Sequence, residues 1–437
     1  MPQKTLGQKI KKARLDLRLT QQDLAGDFIT RNMLSKIESG AATPSLKTLQ
    51  YLAEKLDKPI SYFLDTDLEK GEYIDYDSRA CFEHASFLIK KNEYEKCITY
   101  INQILKTIDE DSTNKFYGYL LYILAKCNII LDNYDLIEQY LDNAIEILEA
   151  NLESTKDNYY LADAYYYKFS IFFYSHKFEE AKYCINKAID AFDKSYLTDV
   201  LLEIKLFFSL GFVLYKLNKY KEAIEILSNV LDLSKNNRCY YSLGDTYMLL
   251  GILHKKMRVM DLAISYTKKA TLFFDSVDQL DSKAACEKNL GNYYLFITTY
   301  DYADKYLNRS LDYYQSINNT NKVNTIKSDL QELLVKKGEY TDAIKYLEEI
   351  NLDGLETVEL ARVYLNLGNS YTGLKDYINA EKNLKKAESL LKDSNFFHIL
   401  QIIYDSYSNM YSQLKDYEKA FTYSQESKRF LELSLAE

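Results

Sequence analysis

An aromatic residue followed three positions later by a small one returns at near-constant intervals along most of this chain. The small positions, or their substitutes, are Cys97, Ile137, Ala181, Ala223, Ala263, Ala303, Ala343, Ala380 and Ala420, spaced 37 to 44 residues apart. The residues three before them are Tyr94, Tyr134, Phe178, Tyr220, Tyr300, Tyr340, Tyr377 and Tyr417, with Met260 as the exception. Twelve positions before the small residue stands another: Ala85, Ala125, Gly211, Gly251, Gly291, Gly368 and Ser408, while Phe169 and Gln331 depart. Small residues at such spacing let two helices of a hairpin approach closely, and the aromatic fills the space beside their turn. A fixed period marks an array in which each unit buries its apolar side only against its neighbours.

Proline usage agrees. The three prolines are Pro2, Pro44 and Pro59, and none occurs in the 378 residues that follow. Interior proline costs a helix about 3 kcal/mol, so this body suits an unbroken succession of helices. The repeating positions resemble those of tetratricopeptide repeats, best seen in LGFVLYKLNKYKEAIEIL (210–227) and LGNSYTGLKDYINAEKNLKKA (367–387). Nine units are expected over 78–437, with a period near 40 rather than the usual 34, so each hairpin should be a turn or two longer. The resemblance implies an all-α, right-handed superhelical solenoid. Most of the 42 tyrosines are then packing residues.

The first 64 residues differ. They hold 11 Lys+Arg against 6 Asp+Glu, a surplus of five, whereas the remainder holds 44 basic and 58 acidic residues. A basic head on an acidic body directs only the head towards a polyanion. Five short helices are expected: Leu6 to Leu17 with Leu6, Ile10, Ala13 and Leu17 along its inward side, TQQDLAGDF capped by Thr20 with Leu24, Ala25 and Phe28 inward, TRNMLSKIESG capped by Thr30 and stopped at Gly40, SLKTLQYLAEKL after Pro44, and a last turn, PISYFL. Two short helices joined by a tight turn put a recognition helix into the major groove. The run TQQDLA-x3-ITRNMLSKIESG-x3-PSLKTLQYLAEKL-x3-ISYFL resembles the XRE-family helix-turn-helix of phage repressors and their bacterial relatives. That resemblance implies that Arg31 and Asn32 face base edges, that Lys36 reaches a base or phosphate, and that Gln21, with Thr30 at the helix start, fixes the register on the backbone. Arginine suits guanine and asparagine suits adenine. It also implies an internal ion pair between Arg14 and Glu38. A polar linker is expected over 65–77.

Other chemistries find little support. Cys81, Cys97, Cys127, Cys184, Cys239 and Cys286 form no CxxC pair and no spacing that suits disulfides or zinc, and read as reduced packing thiols. The four histidines lie in different repeats. There is no phosphate loop, nucleophile elbow, HExxH or dinucleotide fingerprint, so neither an enzyme nor a cofactor or metal is expected. No apolar run is long enough to span a bilayer. The opening MPQKTLGQKIKKARLDL lacks the apolar core of a secretion signal, so a cytoplasmic location without membrane contact is expected.

A helix-turn-helix followed by many elongated repeats resembles the RRNPP-type peptide-pheromone regulators of Gram-positive bacteria, NprR/PlcR-like in layout. The resemblance implies a quorum-sensing transcription regulator in which a short signalling peptide binds in the concave channel and alters operator affinity. A homodimer is expected, because one small head touches few bases of double-stranded DNA. In a tetratricopeptide hairpin the first helix lines the concave side. Its positions give Lys288, Asn289, Asn292, Ser328, Asp329, Arg362, Asn366, Asn369 and Asn409 in the last four units, and Tyr166, Ser170, Phe208, Phe212, Tyr215 and Asp245 before them. Asparagine amides both donate and accept, which suits the backbone of an extended peptide; Arg362 or Lys288 would hold a carboxylate, and Asp245 an amino terminus. Two alternatives remain open: a scaffold for a folded partner such as a phosphorelay response regulator, and a repressor that needs no ligand.

Overall fold

The computed structural model describes residues 6–26, 28–42, 44, 46–58, 62–63, 78–105, 114–133, 136–152, 154–196, 198–347, 350, 352 and 355–436. Everything regular among them is helical. Two compact units divide the chain, residues 1–217 and 218–437, so the division falls inside the repeats.

The head contributes α1 (Leu6–Asp16), α2 (Gln21–Ala25), α3 (Arg31–Glu38) and α4 (Leu46–Lys55). Ile10, Ala13, Leu24, Ala25, Leu34, Ile37, Leu52 and Phe63 form one core. Gly7 permits the approach of α1 to α3, since a Cβ there would lie 2.2 Å from the carbonyl oxygen of Ile37. Two residues expected inward are not. Leu17 follows the end of α1, and Phe28 follows Gly26, where φ of 51° ends α2; both are exposed, and Phe28 stacks on Tyr51 with centroids 4.5 Å apart. The expected fifth turn lies outside the described residues except for Tyr62 and Phe63, and so does the expected linker at 65–77.

Among the described residues eighteen helices follow in chain order. In the first unit α5 (Ser78–Lys90) packs on α6 (Tyr94–Leu105), α7 (Lys115–Ile130) on α8 (Ile137–Ala150) and α9 (Thr155–Tyr174) on α10 (Phe178–Ser195), and α11 (Val200–Lys216) closes the unit. The second unit opens with α12 (Tyr220–Asn237) and continues with α13 (Leu243–Lys256) and α14 (Met260–Ser276), α15 (Leu280–Phe296) and α16 (Tyr300–Ser316), α17 (Thr320–Lys337) and α18 (Tyr340–Tyr346), α19 (Thr357–Gly373) and α20 (Tyr377–Leu391), and α21 (Phe397–Gln413) and α22 (Tyr417–Ala436).

The periodic residues explain the hairpins. Except in α8, every second helix begins at the aromatic or at Met260. A Cβ on Gly251 would sit 2.2 Å from Thr267 Oγ1, one on Gly291 2.6 Å from Leu307 Cγ, and one on Gly368 2.6 Å from Leu384 Cδ2. Where a polar residue replaces the glycine, its side chain bonds the backbone carbonyl of the small residue twelve positions on: Gln331 Nε2 donates to Ala343 O at 3.2 Å and Ser408 Oγ to Ala420 O at 2.9 Å. The residue two before each aromatic or Met260 is left-handed in all nine hairpins: Asn92, Asp132, His176, Asn218, Arg258, Thr298, Gly338, Lys375 and Lys415. Only one of these is glycine, although that backbone favours it.

Candidate functional site

Helix α3 of the head is held by caps and one buried ion pair. Thr20 and Asp23 form a capping box at α2, and Thr30 Oγ1 accepts from Met33 N at the start of α3. These bonds satisfy amides that a helix start leaves open, so α3 begins at a defined residue. Arg14 Nε donates to Glu38 Oε1 at 2.6 Å and Nη2 to Oε2 at 3.0 Å, while Nη1 reaches Leu19 O at 2.8 Å. Burial works to raise the Glu38 carboxyl, but the bonds from Arg14 and Gln21 outweigh it and hold the group below its ordinary value. With the inner side of α3 fixed by Leu34, Ile37 and Glu38, Arg31, Asn32 and Lys36 are exposed on its outer side. Gln21, assigned to a phosphate, donates its amide to Glu38 Oε2 at 2.9 Å. It braces α2 against α3, and its side-chain oxygen is the group left for another partner.

In the second unit, the first helices of three successive hairpins meet at Asp329. This carboxylate is fully buried. It accepts from Arg362 Nη2 at 2.8 Å and Asn292 Nδ2 at 3.1 Å, and Lys288 Nζ lies 3.8 Å away. Arg362 also donates to Glu332 at 2.7 Å, and Asn366 Nδ2 to Ser328 O at 3.4 Å. Burial opposes the charge of Arg362, but Asp329 and Glu332 reverse that effect and hold the guanidinium firmly protonated. Six residues expected on the ligand-facing side are thus brought together, with a difference: Arg362 already binds two carboxylates of its own chain. Asn289 lies half-buried on α15, outside this network.

Beside it, Asn369, Ser406, Asn409 and Gln413 line a cavity of about 400 Å³ between α17, α19 and α21, with Tyr340 and Ile402 as apolar walls. Asn369 is half-buried and Asn409 exposed, its Oδ1 accepting from Gln413 Nε2 at 3.4 Å. Asp245 on α13 is half-buried, and burial pushes its carboxyl up.

The first unit carries aromatic and charged groups on the equivalent helices. Phe173 of α9 packs on Phe212 of α11 at 5.0 Å, Tyr166 stacks on Phe169 at 5.9 Å, and Phe212 on Tyr215 at 6.2 Å. Phe208 joins at 6.3 Å from Phe212, and Ser170 Oγ is bonded to Tyr166 O at 3.1 Å. Sequence reasoning missed a second group: Lys126 Nζ bonds Asp163 Oδ2 at 2.9 Å and Tyr122 Oη at 3.0 Å, and Tyr122 itself donates to Asp163. Tyr122, Lys126 and Asp163 occupy first-helix positions counted back from Ile137 and Ala181 in the way used for the later units, so the signal was present.

Among the described residues no group of acids, histidines and cysteines could hold a metal, and no helix is long and apolar enough to cross a membrane. None of the six cysteines is in a disulfide, and five of them are buried.

Comparison with known proteins bears on both parts. Residues 10–63 match the helix-turn-helix family, 204–237 the tetratricopeptide repeat, and 253–398 the soluble NSF attachment protein family. The transcriptional activator NprA of Geobacillus stearothermophilus is 23% identical over 336 residues, covering 75% of this chain and 76% of the relative. Among solved structures, the apo form of the quorum sensor NprR from B. thuringiensis aligns with a TM-score of 0.60 at 14% identity, over 81% of this chain and 99% of that one. The apo form of RapI aligns with a TM-score of 0.64 at 13% identity, over 81% and 97%.

Proposed function

We propose that this chain, a transcription regulator of the RRNPP type, binds operator DNA through α3 and is controlled by a short signalling peptide held on the first helices of its repeats. The observation that carries the DNA half is the outward row Arg31, Asn32 and Lys36 on a helix fixed from behind by the Arg14–Glu38 pair. Arg31 is suited to guanine and Asn32 to adenine in the major groove, and Lys36 to a phosphate or base. Gln21 and Thr30 set the register. A homodimer fits this use, since two heads about 34 Å apart read a two-fold site. The head at 1–64, the linker at 65–77 and the repeats at 78–437 are the working divisions.

The peptide half rests on the amide-lined cavity at Asn369 and Asn409 and on the polar network next to it. An extended peptide presents alternating donors and acceptors, which asparagine amides match whatever the side chains. Asn289 and Asn366 extend that row, the aromatic wall at Tyr166, Phe212 and Tyr215 suits apolar side chains, and the poorly solvated Asp245 suits an amino terminus. Because Arg362 is engaged by Asp329 and Glu332, its role is to position the row; Lys288, half-buried and 3.8 Å from Asp329, is the cation nearer to release.

Selection of fragmented genomic DNA by the full chain tests the reading. Recovery of one two-fold sequence class, lost on Arg31→Ala, is expected. Recovery of unrelated fragments by both proteins would overturn it.

A further inference from the structure

We infer that a second ligand site, separate from the proposed peptide side, lies between α14, α15 and α16, and that it takes a guanidinium- or ammonium-bearing ligand on the carboxylate of Glu287. The cavity there measures about 770 Å³, within the roughly 300–1,000 Å³ of sites that bury a small ligand. Its depth is set by Glu287, which is 5% exposed. Among the described residues this carboxylate accepts no hydrogen bond. The cations that act on it are Lys283, a turn earlier on α15, and Arg309, whose Nη1 lies at 3.7 Å, beyond hydrogen-bonding distance, and whose guanidinium lies over the Tyr306 ring at 5.9 Å.

A carboxylate taken out of water without donors is costly, and a guest that brings donors recovers that cost. Burial accordingly pushes the Glu287 carboxyl up. Two of the other cations at the cavity have occupations of their own: Lys283 is bonded to Asp275 at 2.7 Å, and Lys268 lies over the Tyr294 ring at 5.6 Å, while Asp312 adds a further carboxylate to the lining. Glu287 is thus a buried carboxylate with a cation near it but no hydrogen-bond donor on it, so its complement is a cation that brings donors.

The rim says what should accompany that cation. Leu272 and Leu280 are 70% and 43% exposed, an apolar pair beside the rings of Tyr306 and Tyr313. An aliphatic stem or a leucine-like side chain would cover them. On α15, Glu287 is about 100° round the helix from Lys288, at 3.6 residues per turn. A ligand here therefore does not compete with the Asp329 network.

Calorimetric titration of the full chain at pH 8 tests the site with two probes, agmatine and N-acetyl-leucyl-arginine amide. Glu287→Gln should weaken binding at least tenfold, while Arg309→Met, on an exposed side chain, should tighten it severalfold by removing the resident cation. Equal affinity for both probes assigns the site to small amines; binding of the dipeptide alone assigns it to a basic peptide segment. Absence of heat with either probe, or unchanged affinity in Glu287→Gln, overturns the inference. If Glu287→Gln fails to fold, Arg309→Met decides by the direction of its change.

Discussion

Arg362 on α19 reaches back to Asp329 on α17, its Nη2 2.8 Å from a carboxylate that has no contact with solvent. The pair ties two successive hairpins, and Asn292 on α15 ties in a third. Asp329→Ala should cost about 3 kcal/mol, the lower end of the cost of breaking a buried pair, because Glu332 still holds the guanidinium. Urea unfolding followed by circular dichroism checks this. A loss below about 0.5 kcal/mol, the range of surface changes, would mean that the network is not structural.

The Arg14–Glu38 pair predicts an acid-sensitive head. A carboxyl whose pKa is lowered on folding contributes stability above its unfolded value, about 4.3, and that contribution is lost as pH falls through the folded value. Amides of α3 should lose hydrogen-exchange protection as pH drops through that window. In Glu38→Gln, protection should be weaker at neutral pH and should change less with acid. An equally steep acid dependence in the variant would assign the effect to other groups.

Thr298 is a β-branched residue at φ 60° in the turn between α15 and α16, exposed to solvent. The left-handed backbone costs such a residue about 1–2 kcal/mol, part of which glycine gives back as greater freedom in the unfolded chain. Thr298→Gly should therefore stabilise the second unit by about 0.5–1 kcal/mol. A lower denaturation midpoint in the variant would contradict the strain.

These turns mark where reading the sequence stopped. The all-helical fold with tetratricopeptide-like repeats and the caps at Thr20 and Thr30 follow from local residue types at fixed spacing, and the structure bears them out. Left-handed turns at His176, Arg258 and Thr298 carry no such mark, because packing on both sides dictates the backbone there. Likewise, position counting placed Lys288, Asn292, Asp329 and Arg362 on one side of their helices, yet whether a charge is free or already answered depends on partners more than thirty residues away. Glu332 and the Tyr122–Lys126–Asp163 group sit at positions that the same counting covers; their places were legible, and only their pairing was not.

In the head, Asn32→Ala should cost about 1–3 kcal/mol of operator affinity and relax the choice of base at one position. Lys36→Ala, if the lysine meets a phosphate, should weaken binding to every sequence alike and reduce the salt slope by about 1. Electrophoretic mobility shift across a salt series separates the two. Equal losses on specific and random DNA for Asn32→Ala would remove it from base reading.

The central claim is that a peptide on the repeats governs DNA binding by the head. The most direct test is operator affinity by fluorescence anisotropy, measured with and without the short-peptide fraction of the producing culture, for the wild type and for the Asn369→Ala, Asn409→Ala double variant. A shift of at least fivefold is expected in the wild type, in either direction, and it should be lost or strongly reduced in the double variant while helical content is unchanged. An operator affinity that no peptide fraction alters, or a shift that survives intact in the double variant, would contradict it.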